Sequence, residues 1–193
     1  MDDAGYLSAL RTHWKKHQAF PSMAKLTEVV GLSSTASVFG LIGRLTEAGY
    51  LERLDGRIAP SRKFFARPLF GQVRAGLPEP VMEDQHPEVL TIDDHLIDDP
   101  NRTTLVTVRG DSMKDVGLLD GDIAVVETNA PTRPGDIVVA VVDGKITVKT
   151  LRDRGGRFVL EPANAAYETI KPKGSLEILG VVVGSFRRFR RRS

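Results

Sequence analysis

The chain has 193 residues, no cysteine and a formal net charge of +2, a length that suits two small domains and a composition that leaves no disulfide framework or thiolate metal site. No apolar run is long enough to span a membrane, and the acidic start MDDAGYLSAL lacks the basic-then-apolar order of a signal peptide. A soluble, cytoplasmic protein without metal or cofactor is therefore expected.

The charge is segregated along the chain. Residues 1–67 carry ten Lys and Arg against six Asp and Glu, residues 68–100 one against eight, and residues 101–193 sixteen against eleven. Five of those last cations sit in the ending RRFRRR, residues 187–192. A basic first segment beside an acidic one suggests a polyanionic partner for the first.

The first 67 residues read as three helices and a hairpin. Asp3 is placed to cap a helix whose apolar positions Tyr6, Leu7, Leu10 and Trp14 share one face. HQAFPS interrupts it. Ser22 is placed to cap MAKLTEVV, which turns Leu26, Val29 and Val30 inward and ends at Gly31. A third helix starts at Ser33 or Ser34, buries Val38, Leu41, Ile42 and Leu45, and stops at Gly49. YLERLDGRIAPSRKFF then reads as two short strands around the hairpin signal Asp55-Gly56. Three helices with a short turn before the third, followed by a hairpin carrying Arg53, Arg57, Arg62 and Lys63, make a winged helix-turn-helix.

That architecture places the third helix in the major groove of double-stranded DNA and the hairpin cations along phosphates. With Val38, Leu41 and Leu45 inward, the outward stripe is Ala36, Gly40 and Gly43, flanked by Ser34, Ser37, Phe39 and Arg44. Two glycines inside a helix cost roughly 1 kcal/mol each relative to alanine, and close approach of the helix backbone to DNA would offset that cost. Arg44 is a candidate for a guanine edge or a phosphate. Phe39 either touches thymine methyl groups or packs against the hairpin. A three-helix module for protein contacts is the competing reading of this segment.

Residues 68–193 read as a second, mostly β domain, so the whole chain is α+β with two domains. Residues 69–73 suit a strand, but the Ala75-Gly76 pair and the prolines after it demand irregular backbone. A small-residue pair in extended backbone is also good protease substrate. Further on, Ser112 sits in the turn of VRGDSMKDVGLLDGDIAVV between two apolar strands, and a serine needs a base to become a nucleophile.

The four histidines, His13, His17, His86 and His95, are poor candidates for that base, being placed on the first helix or in the acidic segment. Lysine is the other known partner of a catalytic serine. VVDGKITVKTL reads as strand, Asp143-Gly144 turn and strand, with Lys145, Thr147, Lys149 and Leu151 on one face. Lys149 sits mid-strand, where burial would favour the neutral amine; alternatively it is a strand lysine that extends its head to solvent.

Three motifs in register resemble the LexA-type SOS repressors of the self-cleaving S24 peptidase family: RAG at 74–76, GDSMKD at 110–115 followed by LLDGDIAVV, and DGKITVKTL at 143–151. The separations from Ala75 to Ser112 and from Ser112 to Lys149 are each 37 residues. The segment FPSMAKLTEVVGLSSTASVFGLIGRLTEAGYLER also resembles the family's winged helix.

The resemblance implies that Ser112 is the nucleophile, Lys149 the unprotonated base, and Ala75-Gly76 the bond cut, with the backbone N–H groups of Asp111 and Ser112 holding the oxyanion. It implies a homodimer formed through LEILGVVVGSF (Leu176–Phe186), operator DNA as partner, and a RecA filament on single-stranded DNA as the stimulus for cleavage. Family members present polar side chains where this chain has Ala36, Phe39 and Gly40, which leaves the operator open, and the RRFRRR ending is unusual. The competing readings are a repressor of a specialised or mobile-element gene set whose peptidase-like domain only dimerises, and a protease acting on other proteins.

Overall fold

The structure, a computed structural model, describes residues 2–69 and 88–189. The chain divides into two compact units, residues 1–92 and 93–193; the composition boundary at 67/68 lies within the first.

In the first unit, α1 (Asp3–His17) is capped by Asp2, not Asp3: the Asp2 side chain accepts the Gly5 N–H at 2.9 Å. Asp3 is already helical, which turns its carboxylate outward towards Arg44. Gly31, with φ +69°, ends α2 (Met23–Val30), and Ser22 takes the extended N-cap backbone without a side-chain bond. Ser34 caps α3 (Thr35–Glu47) by accepting the Ser37 N–H at 3.1 Å.

The apolar periodicity of the three helices converges as expected. Leu7, Leu10, Leu26, Val30, Val38, Leu41, Ile42 and Leu45 form one core, closed by Leu51 and Phe64. The hairpin β1 (Leu51–Leu54) and β2 (Arg57–Pro60) turns at Asp55 and Gly56, both at positive φ, as a tight two-residue turn requires. One expectation is corrected: the second strand stops at Pro60, and Arg62–Phe65 form a short helix, α4. Phe64 is the reason, because the helical turn drives its ring fully into the core while Arg11 caps the freed carbonyls of Phe64 and Ala66 at 2.7 and 3.3 Å. Arg67–Leu69 (β3) then pairs antiparallel with Glu88–Leu90 (β4); of the strand expected over 69–73, only Leu69 is among the described residues.

The second unit follows α5 (Ile92–Leu96) with an antiparallel six-stranded sheet. Its strands are β5 (Thr103–Thr107), β6 (Ile123–Thr128), β7 (Ile137–Val142), β8 (Lys145–Asp153), β9 (Phe158–Glu161) and β10 (Leu176–Phe186), in the order β5-β6-β10-β7-β8-β9. The strand expected to serve a dimer interface is therefore internal: residues 176–181 of β10 pair with β7, and residues 180–186 with β6. Gly180 marks that handover, since a Cβ there would lie 2.6 Å from the Glu127 carbonyl oxygen.

Two apolar clusters fill the unit, one around Met113, Leu118, Ala124 and Val139, the other around Val138, Leu151 and Leu160. The first seats the turn after β5. The β7–β8 hairpin turns at Asp143-Gly144, as expected from its sequence, and its register sets Lys149 opposite Val138.

Candidate functional site

Ser112 belongs to a turn fixed at both sides by its neighbours. Gly110, at φ +83°, donates its N–H to the Asp120 carboxylate at 2.7 Å. Met113 is 2% exposed and plugs the core, so the preceding serine is held at the surface of that plug. The Lys114 N–H then closes the turn on the Asp111 carbonyl at 3.1 Å.

Lys149 comes from the middle of β8 and is buried. Its Nζ lies 2.8 Å from Ser112 Oγ, and it donates to Thr147 Oγ1 at 3.1 Å and to the Val148 carbonyl at 2.9 Å. Among the described residues no carboxylate pairs with it, and burial alone holds its pKa below the ordinary value of 10.5. The geometry favours reactivity. A neutral amine has two N–H donors, which Thr147 and Val148 accept, and its lone pair is then left facing the serine hydroxyl. The strand lysine reaching to solvent, the other reading of this residue, is not what the fold builds. No histidine among the described residues hydrogen-bonds Ser112.

A second set of contacts on the serine turn carries no signal in the sequence. Asn164, buried in the loop after β9, donates its side-chain amide to the Asp111 carbonyl and to the Asp111 carboxylate, both at 3.1 Å. Tyr167 donates its hydroxyl to the same carboxylate at 2.6 Å. That hydroxyl is the main reason the Asp111 carboxyl stays below its usual range. The loop lies 53 residues from the turn, and no local pattern signals such a contact. Ala75 and Gly76 lie outside the described residues.

In the first unit, α3 exposes the stripe read from the sequence: Ala36, Ser37, Phe39, Gly40, Gly43 and Arg44 all face solvent. Ser34 and Ser37 spend their hydroxyls on one another at 2.8 Å. Phe39 is 57% exposed, and it lines a cavity of about 580 Å³ between α2, α3 and the hairpin, together with Phe20, Met23, Arg53, Arg57 and Ile58. Arg53 and Arg57 make no ion pair among the described residues.

Two basic residues have local work that the sequence did not announce. Arg44 forms a two-pronged pair with Asp3, at 2.9 and 2.7 Å. Lys63, counted with the hairpin cations, donates to the Ala48 carbonyl at 2.9 Å and lies 4.9 Å from the centre of the Tyr50 ring, so it ties down the end of α3. In the second unit, Arg187, the first residue of the basic ending, is likewise not free. It grips the buried Asp122 carboxylate through Nε and Nη2. Residues 190–192 lie outside the described residues.

A family model described as Peptidase S24-like matches residues 68–183, and one described as LexA DNA binding domain matches residues 4–60. The chain is similar to the LexA repressor of Opitutus terrae, 37% identical over 180 residues that make up 89% of this chain and 88% of the relative. The chain belongs to the LexA repressor family. Similar too are the LexA repressor of Pelotomaculum thermopropionicum, 35% identical over 87% of this chain and 86% of the relative, and LexA repressor 1 of Nocardia farcinica, 34% identical over 94% and 90%. The LexA DNA-binding segment coincides with α1 to β2, and the S24-like segment contains Ser112, Lys149 and β10 as far as residue 183. The expected α+β fold, a helical DNA-binding domain followed by a mostly β S24-like domain, is borne out. No single helix among the described residues is long and apolar enough to cross a membrane.

Proposed function

We propose that this LexA-family chain is a transcriptional repressor of the DNA-damage response type that inactivates itself by cutting its own Ala75-Gly76 bond. The observation that carries the cleavage is the 2.8 Å approach of Ser112 Oγ to a buried amine that has no carboxylate partner among the described residues.

In this reading Lys149 takes the hydroxyl proton as Ser112 Oγ attacks the Ala75 carbonyl carbon. The negative charge that collects on the carbonyl oxygen is held by backbone N–H groups at the turn, those of Ser112 and Asp111. The C–N bond then breaks, the Lys149 ammonium gives its proton to the departing Gly76 amine, and Ala75 is left esterified to Ser112. Water hydrolyses that ester with Lys149 again as base, which regenerates the hydroxyl and frees a new carboxylate at Ala75. An intramolecular substrate has a very high effective concentration, so control must lie in keeping the scissile segment away from Ser112 or Lys149 protonated. A RecA filament on single-stranded DNA is the partner the family implies for tipping that balance.

The DNA-binding role rests on α3 and the hairpin. The bare stripe at Ala36, Gly40 and Gly43 would enter the major groove, with Ser34, Ser37 and Phe39 at its border and Arg53 and Arg57 on phosphates. Arg44 would join only by leaving Asp3. A homodimer would place two such units on two half-sites. Val183 and Phe186 of β10 are exposed, and past Val181 no strand among the described residues pairs with β10 on the β7 side, which suits an interface there. Cutting at Ala75-Gly76 would part the DNA-binding segment from that interface and remove the gain from joining two weak contacts.

Incubation of the purified chain at alkaline pH tests the proposal. Two fragments are expected, one ending at Ala75 and one starting at Gly76, and both should vanish in Ser112→Ala and Lys149→Ala. A wild-type chain that stays whole, alone and with activated RecA filaments, would leave the second unit as a dimerisation module only.

A further inference from the structure

We propose that Asn164, backed by Tyr167, is a positioning residue for self-cleavage, holding the Asp111-Ser112 peptide group so that its N–H stays aimed at the oxyanion. The inference rests on the cleavage reading above and adds to it a part of the machinery remote in sequence.

The physical argument starts from the geometry of one peptide group. The Asp111 carbonyl and the Ser112 N–H belong to the same planar unit and point in opposite directions. Whatever grips the carbonyl therefore fixes the direction of the N–H. Two donors do so, the Lys114 N–H from within the turn and the Asn164 side-chain amide from outside it, each at 3.1 Å. Without the second, only the Lys114 N–H restrains the carbonyl, and the peptide group can rock more widely about the bonds flanking it.

Asn164 is itself held tightly. It is 5% exposed, and its Oδ1 accepts the Ala166 N–H at 3.0 Å, so the amide nitrogen must face Asp111. The same nitrogen reaches the Asp111 carboxylate, whose other oxygen takes the Tyr167 hydroxyl. The loop clamps the far end of the turn too, where the Ala163 carbonyl accepts the Asp115 N–H at 2.9 Å. Hydrogen bonds that polarise one another in a half-buried site stiffen it collectively. None of these groups hydrogen-bonds Lys149, whose hydrogen-bond partners among the described residues are Ser112, Thr147 and Val148. The brace should therefore govern how well the oxyanion is held, and leave the protonation of the base alone.

The test is the rate of self-cleavage of the full chain as a function of pH. Removing an oxyanion donor outright costs about 10²–10³ in rate, and loosening one should cost less: Asn164→Ala is expected to cleave about tenfold more slowly at every pH, with the midpoint of the pH profile unmoved. Asn164→Asp keeps the shape and the Ala166 contact but loses the donor, and should be at least as slow. Tyr167→Phe removes only a hydroxyl from a ring 46% exposed, which leaves folding intact, and should slow cleavage by about threefold.

Wild-type rates in Asn164→Ala or Tyr167→Phe would overturn the inference, as would a displaced midpoint with an undiminished plateau, which would assign the loop to Lys149. If Asn164→Ala does not fold, Tyr167→Phe decides. Cleavage seen in the wild type and absent in Ser112→Ala shows that the underlying reading holds whatever the Asn164 variants do; a wild type that never cleaves sinks both.

Discussion

The glycines of α3 invite a perturbation in which stability and function should move in opposite directions. A Cβ built at Gly43 meets nothing within 4 Å, and one at Gly40 meets only the far end of the Arg44 side chain at 3.8 Å. Both positions are ordinary helix, so alanine fits without strain, and each replacement should stabilise the first unit by about 1 kcal/mol from helix propensity alone. For a unit of this size 1 kcal/mol raises the unfolding midpoint by about 4–8 °C. The chain has one tryptophan, Trp14, packed at 5.4 Å against Phe65 in the same unit, so its fluorescence reports that unit's melting. If the helix backbone approaches DNA at this stripe, two added methyl groups must weaken binding to a site selected from random duplexes, measured by anisotropy at fixed salt. A Gly40→Ala, Gly43→Ala double variant that melts higher and binds equally well would refute the close-approach argument. One that melts lower would refute the open space assigned to the two positions.

Gly180→Ala should do the reverse in the second unit: its Cβ would sit 2.6 Å from the Glu127 carbonyl oxygen and 2.7 Å from Val126 Cγ1. Overpacking against backbone costs about 1–3 kcal/mol, with the upper end expected here, and hydrogen exchange of β6 and β10 peptides in increasing denaturant would read it. Lys149 is depressed by burial, so the unfolded chain binds the extra proton between the folded value and 10.5; wild-type stability relative to Lys149→Met should rise as pH climbs through that window. A flat difference from neutral pH to 10.5 would show that the amine is not desolvated. Asp122 is held below its ordinary 3.8 chiefly by Arg187, so its contribution to stability is present above that value and fades as pH falls through the folded one. Arg187→Ala should reverse this, leaving a buried carboxylate that destabilises the sheet at neutral pH and is relieved by acid; an acid-insensitive deficit would mean that water replaces the guanidinium.

Much of the molecule was legible in the chain because the signals were local. Side-chain period determined the buried faces of α1, α2 and α3, and Asp55-Gly56 and Asp143-Gly144 determined two hairpins, since only a few residue types tolerate the backbone those turns require. The motif spacing nominated Ser112 and Lys149, although strand periodicity alone left Lys149 as readily at the surface as in the site. Only the tertiary structure decided that matter, because burial of an amine depends on what packs over it from other strands. The same holds for Arg44, Lys63 and Arg187, cations whose partners Asp3, Ala48 and Asp122 are distant in sequence, and for Phe64, whose place in the core overrode the extended pattern around it. Asn164 is the clearest case: an asparagine in a loop carries no local mark of its partner, and chain folding alone brings it to the peptide group beside the serine.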